Sequence, residues 1–168
     1  MSNDPLMEAL LDSWDRNNTI TTNLLRAVPD DALGVRVMAT SPTVAQTFAH
    51  LIYIRLVHVL EDAPEFASGV PAVEWANDVD RNHLVRQLTD SAAVVRAAVR
   101  ARLEHNQPMD LHYDHPLLMI QHLLWHEAYH HGQIKLACKI AGRPITDDRI
   151  GTQSWGIWMD KTAGTPQK

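Results

Sequence analysis

Four stretches of the chain carry apolar residues at every third or fourth position, the spacing of one face of an α-helix. They cover residues 5–28, 42–61, 78–104 and 116–141 of the 168. No stretch shows the convincing two-residue alternation of a half-buried strand. The pattern predicts an all-α fold, most simply a four-helix bundle, and we expect residues 1–168 to form a single domain.

Proline and glycine mark where the predicted helices begin and end. Asp4 and Ser41 each precede a proline and can cap helices one and two, and Pro116 opens helix four. Gly142 provides a stop for helix four. Residues 63–77 contain two prolines and a glycine, so we expect a long connection between helices two and three that could lie over one end of the bundle.

The tail over residues 146–168 is rich in glycine and contains Trp155 and Trp158. Large aromatic side chains bury much apolar area, so we expect both tryptophans to pin the tail against the bundle before the chain end frays. A homodimer is plausible, because bundles with tryptophan-rich faces often self-associate, but the sequence does not locate an interface.

Composition and charge limit the classes of function. Lys and Arg number 15 against 20 Asp and Glu, a net charge of −5, which argues against a nucleic-acid partner because phosphate binding needs clustered cations. Five arginines in helix three are interleaved with apolar residues, which favours a solvated helix face: Arg81, Arg86, Arg96, Arg100 and Arg102. No apolar stretch reaches the roughly 20 residues of a membrane span. With no visible secretory signal and only one cysteine, Cys138, we expect a cytoplasmic protein without disulfides.

Histidine is the residue type that suggests chemistry. The chain has ten, and six of them fall between residues 112 and 131. At 100° per residue, His122, His126 and His130 lie on one narrow stripe of helix four, bordered by apolar residues. His126 and His130 are four residues apart, the spacing with which a helix supplies paired metal ligands.

Helix two offers a third imidazole. His50 lies at the centre of its apolar face, whereas His58 lies further round and is a poorer candidate. Side chains of facing helices meet in a bundle core, so His50, His126 and His130 could converge on one divalent cation. Three neutral imidazoles leave coordination positions open, as in a catalytic site, and we favour zinc or nickel.

Other interpretations of these residues stay open. Each candidate ligand could be a hydrogen-bonded core histidine, and His122 could be a fourth ligand, a hydrogen-bond partner of a ligand or a packing residue. Glu127 follows His126 as in zinc proteases, but the second histidine comes one residue late and Glu127 points about 100° away, so we expect no general-base role. The remaining histidines are expected on the surface or in loops: His58, His83, His105, His112, His115 and His131.

The sequence HEAYHHGQI over residues 126–134 resembles the last-helix motif of the DinB-like family, within the wider group of DinB and YfiT-like metalloenzymes. The resemblance implies a four-helix bundle that binds a divalent metal through one histidine of helix two and two of the last helix. By position these fall on His50, His126 and His130. Many members have His where Tyr129 stands and Arg where His131 stands, which affects substrate details rather than the ligands.

The resemblance leaves the reaction open, because relatives include thiol-dependent S-transferases and a mycothiol-dependent maleylpyruvate isomerase. Our leading hypothesis is a metal-dependent transferase that activates a low-molecular-weight thiol for attack on a small-molecule substrate. Tyr129 or His122 could position the substrate or a proton, and Cys138 is expected to be a packed core thiol. The alternatives are a hydrolase that uses metal-bound water and a non-catalytic, stress-induced protein that binds a metal and a small molecule.

Overall fold

The computed structural model describes residues 4–161, and these form helices joined by loops, with no strand among them. The all-α prediction is confirmed. The long helices are α1 (Pro5–Ala27), α2 (Val44–Asp62), α3 (Arg81–Glu104) and α4 (Pro116–Ile140). Two short helices follow, α5 (Asp147–Ile150) and α6 (Trp155–Met159).

The helix ends follow local capping chemistry, with two corrections to the sequence prediction. α3 begins at Arg81 rather than at position 78, because the Asp80 side chain accepts from the His83 amide and caps the helix there. Asp4 caps α1 through a hydrogen bond from the Leu6 amide, as expected. Ser41-Pro42, however, does not begin α2. Thr43 is the N-cap, because its hydroxyl accepts from the Gln46 amide while the Gln46 side chain accepts from the Thr43 amide. This reciprocal capping box satisfies the backbone amides of Thr43 and Gln46. Pro42 has no polar side chain with which to accept from a backbone amide.

The four long helices pack as a bundle in which α3 lies between α1 and α2, and α4 contacts all three. The link between α2 and α3 is long, as predicted, and contains one short helical turn, Pro64–Phe66. No helix within residues 4–161 is long and apolar enough to cross a membrane.

The tail differs from the prediction that tryptophans pin it to the bundle. Trp155 and Trp158 are 54% and 45% exposed. Polar groups of α1 hold this segment instead: Arg16 donates to the backbone carbonyls of Ile157 and Asp160, and Asn23 donates to that of Gln153. The predicted fraying of the chain end falls on residues 162–168, outside the described part of the chain.

Four of the five arginines of α3 form ion pairs with acidic groups of the same chain: Arg81, Arg96, Arg100 and Arg102. Arg96 pairs with Asp15 and Arg100 with Glu8, at the surface between α1 and α3. Arg102 does not belong to a solvated face, because it is only 8% exposed and bridges Glu65 and Asp110. Its guanidinium ties the two long links to the end of α3.

The outer face of α4 carries exposed apolar side chains at intervals of seven and four residues. They are between 45% and 70% exposed: Leu118, Trp125, Tyr129, Leu136 and Ile140. Apolar stripes of this kind are unusual on a surface that faces only water. The homodimer remains a prediction.

Candidate metal centre

Three histidines from two helices meet in the bundle. His50 on α2 and His130 on α4 are each 7% exposed, and His126 lies one turn before His130. The Nε2 atom of His126 is 3.1 Å from that of His50 and 3.2 Å from that of His130. The sequence prediction that these three side chains converge is confirmed, and the group could hold a metal ion.

The spacing of the three Nε2 atoms fits a metal site. Nitrogen ligands 2.0–2.1 Å from a tetrahedral zinc ion are about 3.3 Å apart, close to the two separations here. Burial, followed by the neighbouring imidazoles, lowers the pKa of His50 and His126 to about 4. Burial also lowers the pKa of His130. All three rings are therefore neutral at pH 7, the form that binds a metal.

Partners on the far side of two rings fix which nitrogen faces the centre. The Oε1 atom of Gln133 lies 2.8 Å from Nδ1 of His130, and an amide oxygen only accepts, so Nδ1 carries the proton. Glu74 Oε1 lies 2.8 Å from Nδ1 of His50, too poorly aligned for a hydrogen bond but so close that a lone pair on Nδ1 would be repelled, which favours the proton on this nitrogen. In both rings the Nε2 lone pair then points towards His126, and a cation between the rings satisfies these lone pairs together.

The long link between α2 and α3 contributes two residues that the sequence analysis did not identify. Besides Glu74, it places Trp75 against His50, with ring centroids 4.0 Å apart and planes inclined by 4°. Gln46 of α2 donates to the Trp75 carbonyl and anchors the link. No spacing rule connects residues 74–75 with position 50, so only the length of the link hinted at a role.

A buried ion pair joins the two helices that carry the histidines. Arg55 is 0% and Glu127 1% exposed, and the guanidinium makes two hydrogen bonds to the carboxylate, at 2.6 and 2.8 Å. Asn17 and Thr21 of α1 also donate to Glu127. Burial by itself would raise the pKa of the Glu127 carboxyl, but Arg55 holds it below its ordinary value. Glu127 is thus a buried carboxylate whose negative charge is balanced by Arg55, and its lack of a general-base role stays a prediction.

His131 is a correction to the sequence analysis, which placed it on the outer side of helix four. Its Nε2 atom lies 2.9 Å from the Thr21 hydroxyl, next to the buried Glu127, and burial lowers its pKa to about 4. α1 packs against this face of α4, so a position that looked exposed on a helical wheel is covered by another helix.

The two candidate catalytic residues lie beside the histidine centre. Tyr129 is 56% exposed and its ring contacts that of His130, with centroids 5.2 Å apart. His122 is exposed, and its Nδ1 atom is 2.7 Å from the Tyr113 hydroxyl. The ring centroids of His122 and His126 are 6.2 Å apart. Their roles stay a prediction.

A cavity of about 220 Å³ is lined by Ser41, Thr47 and Gln133 together with apolar side chains, and by none of the three histidines themselves. Gln133 therefore contacts both His130 and the space in which a small organic molecule could lie. A larger cavity of about 550 Å³ lies elsewhere, lined by residues such as Leu6 and Leu103 and by none of the three histidines.

The fold and the site define a helical-bundle protein with a candidate three-histidine metal centre. The chain belongs to the DinB family, whose sequence model matches residues 1–156. The resemblance noted from the last-helix motif is thereby confirmed. No curated protein and no solved structure matched the chain in the other two comparisons.

Proposed function

We propose that the protein is a metal-dependent transferase that activates a low-molecular-weight thiol for attack on a small electrophile. The observation that carries the proposal is the convergence of three neutral imidazoles through their Nε2 atoms, 3.1 and 3.2 Å apart. Three protein ligands leave coordination positions for another molecule, whereas a structural zinc site is closed by four.

The ligands would be His50, His126 and His130, and the metal would be zinc or nickel. When bound, a divalent cation lowers the pKa of a thiol or of water and so supplies a nucleophile at neutral pH. Glu74 and Gln133 orient the rings of His50 and His130. Replacing a residue that holds a ligand ring in place typically lowers metal affinity by about 10- to 100-fold.

The thiol would come from outside the chain. Cys138 is buried, and burial raises the pKa of its thiol, so it has neither the access nor the thiolate character of a nucleophile. The apolar cavity beside Gln133 suits the hydrocarbon part of an electrophilic substrate, and Tyr129 or His122 would position it or a proton. The reducing cytoplasm, where small thiols are abundant, is the location that this chemistry favours.

The first prediction concerns turnover. Zinc- or nickel-loaded protein is expected to conjugate at least one of a panel of small thiols to electrophiles, whereas His126→Ala is expected to show only the uncatalysed rate. Product formation is measured by mass spectrometry, with Cys138→Ala as a control that retains activity because this thiol is buried and has a raised pKa.

Two outcomes would contradict the thiol proposal and point to the alternatives. Turnover of the electrophile without any added thiol would indicate a hydrolase, for which the same three ligands suffice. Metal binding without turnover, together with stabilisation by a small molecule that is lost in His130→Ala, would indicate a non-catalytic binding protein.

A further inference from the structure

A second cluster of metal-binding side chains lies at the C-terminal end of α2. His58 and Asp62 are four residues apart on this helix, and His112 comes from the link between α3 and α4. One potential ligand atom from each residue lies within 4.8 Å of the other two. The sequence contains the same one-turn spacing here as in the His126 and His130 pair, but the prediction placed His58 and His112 among the surface and loop residues.

We propose that His58, Asp62 and His112 form a second divalent-cation site, distinct from the three-histidine centre. Two imidazoles and one carboxylate are the protein ligands of several zinc hydrolases and of non-haem iron(II) sites. The carboxylate offsets one of the cation's two charges, and three protein ligands leave coordination positions open. The donor set thus fits zinc or a neighbouring transition metal better than calcium or magnesium, which take oxygen ligands.

The carboxylate of this cluster is held in place by the link that supplies the third ligand. Asp62 is fully buried, and its Oδ1 atom accepts from the backbone amides of Leu111 and His112, at 3.1 and 2.7 Å. Its Oδ2 atom lies 2.8 Å from Nδ1 of His112. Adjacent ligand atoms on a zinc ion are about 3.3 Å apart, so small movements convert this contact into shared coordination.

The imidazole of His58 has a buried nitrogen that makes no hydrogen bond. Its Nδ1 atom is buried without a hydrogen-bond partner, which is costly for a polar atom unless a ligand satisfies it. Burial, with His122 and His112 nearby, lowers the pKa of His58, so the ring is neutral. His112 has 41% of its side chain exposed, which gives a cation access from solvent.

His122 separates the two clusters. Its ring centroid is 5.4 Å from that of His58 and 6.2 Å from that of His126, and its Nδ1 atom contacts the Tyr113 hydroxyl. No residue belongs to both clusters among residues 4–161. The two sites can therefore be tested one at a time.

The test is the zinc stoichiometry of the full chain, measured by equilibrium dialysis and elemental analysis over a range of free zinc. Wild-type protein is expected to bind two ions. His112→Ala removes a ligand from a loop and should weaken one site by more than about 100-fold, beyond what loss of a supporting residue usually does. His126→Ala should remove the other ion, and His105→Ala, an exposed histidine outside both clusters, should leave both.

Asp62→Asn provides a second variant that preserves shape, because an amide oxygen can still accept from the Leu111 and His112 amides. It is expected to weaken the same site by at least about tenfold. A single bound ion that His112→Ala leaves in place, or unchanged zinc binding in both His112→Ala and Asp62→Asn, would overturn the second site. If these two variants lost one ion while His126→Ala still bound two, the second site would stand and the three-histidine centre would be overturned.

Discussion

Arg55→Met is expected to lower the free energy of unfolding by about 3–5 kcal/mol, because it leaves a buried carboxylate charged and unpaired. The Arg55 side chain is fully buried, and its guanidinium donates two hydrogen bonds to Glu127, at 2.6 and 2.8 Å. It also donates to the Leu88 carbonyl and lies 4.9 Å from the ring centroid of Trp14. One substitution therefore removes contacts to three other helices.

The measurement is urea or thermal unfolding followed by circular dichroism. For a protein of this size the melting temperature should fall by roughly 10 °C. Arg96→Met is the matched control, because its pair with Asp15 is 33% and 51% exposed and should be worth less than about 1 kcal/mol. Equal destabilisation of the two variants would show that the Arg55 pair does not lock α2 against α4.

His126→Ala is expected to lower zinc affinity at the three-histidine centre by more than about 100-fold, the upper range for losing only a supporting residue. His126 is the ring whose Nε2 atom approaches both of the others. The affinity is measured by competition with a chelator of known strength, on apo-protein of wild-type and variant. Circular dichroism of the apo-proteins confirms that the change lies in binding rather than folding.

A graded comparison separates ligands from their supports. Glu74→Gln keeps a side chain of the same shape beside His50 but removes the negative charge, so the affinity should fall by about 10-fold. His105→Ala should leave it unchanged. If His126→Ala weakened zinc binding no more than Glu74→Gln does, His126 would not be a ligand.

Much of the fold could be predicted from the chain because helical periodicity and capping are local. The apolar stripe and Pro116 place α4 at Pro116–Ile140, and Gly142 follows in the left-handed region at φ 73°, where glycine carries no steric penalty. The start of α2 was misplaced by two residues, because a capping box at Thr43 competes with the proline signal at position 42.

The convergence of the three histidines was also within reach of sequence reasoning, because spacing on a helix fixes which side chains share a face. His126 and His130 share one face by their spacing, and His50 lies on the apolar face of its own helix. The residues that surround these histidines could not be predicted, because they depend on which helix or loop packs against them. Arg55 is the one Lys, Arg, Asp or Glu between positions 44 and 60, so the sequence marks it as unusual. No local pattern identifies Glu127 as its partner.

Contacts between distant segments explain the remaining differences. His131 looked exposed on α4 alone, and only the packing of α1 shows that Thr21 covers it. Glu74 reaches His50 through a long link without regular spacing. The tail is held by hydrogen bonds from α1 to backbone carbonyls, which leave no side-chain pattern in the tail to detect.

The most direct test of the central claim is an anomalous difference map from crystals of zinc-loaded protein, recorded on both sides of the zinc absorption edge. The account predicts a peak about 2.0–2.1 Å from the Nε2 atoms of His50, His126 and His130. Zinc-loaded crystals with no peak among these three nitrogen atoms would contradict it.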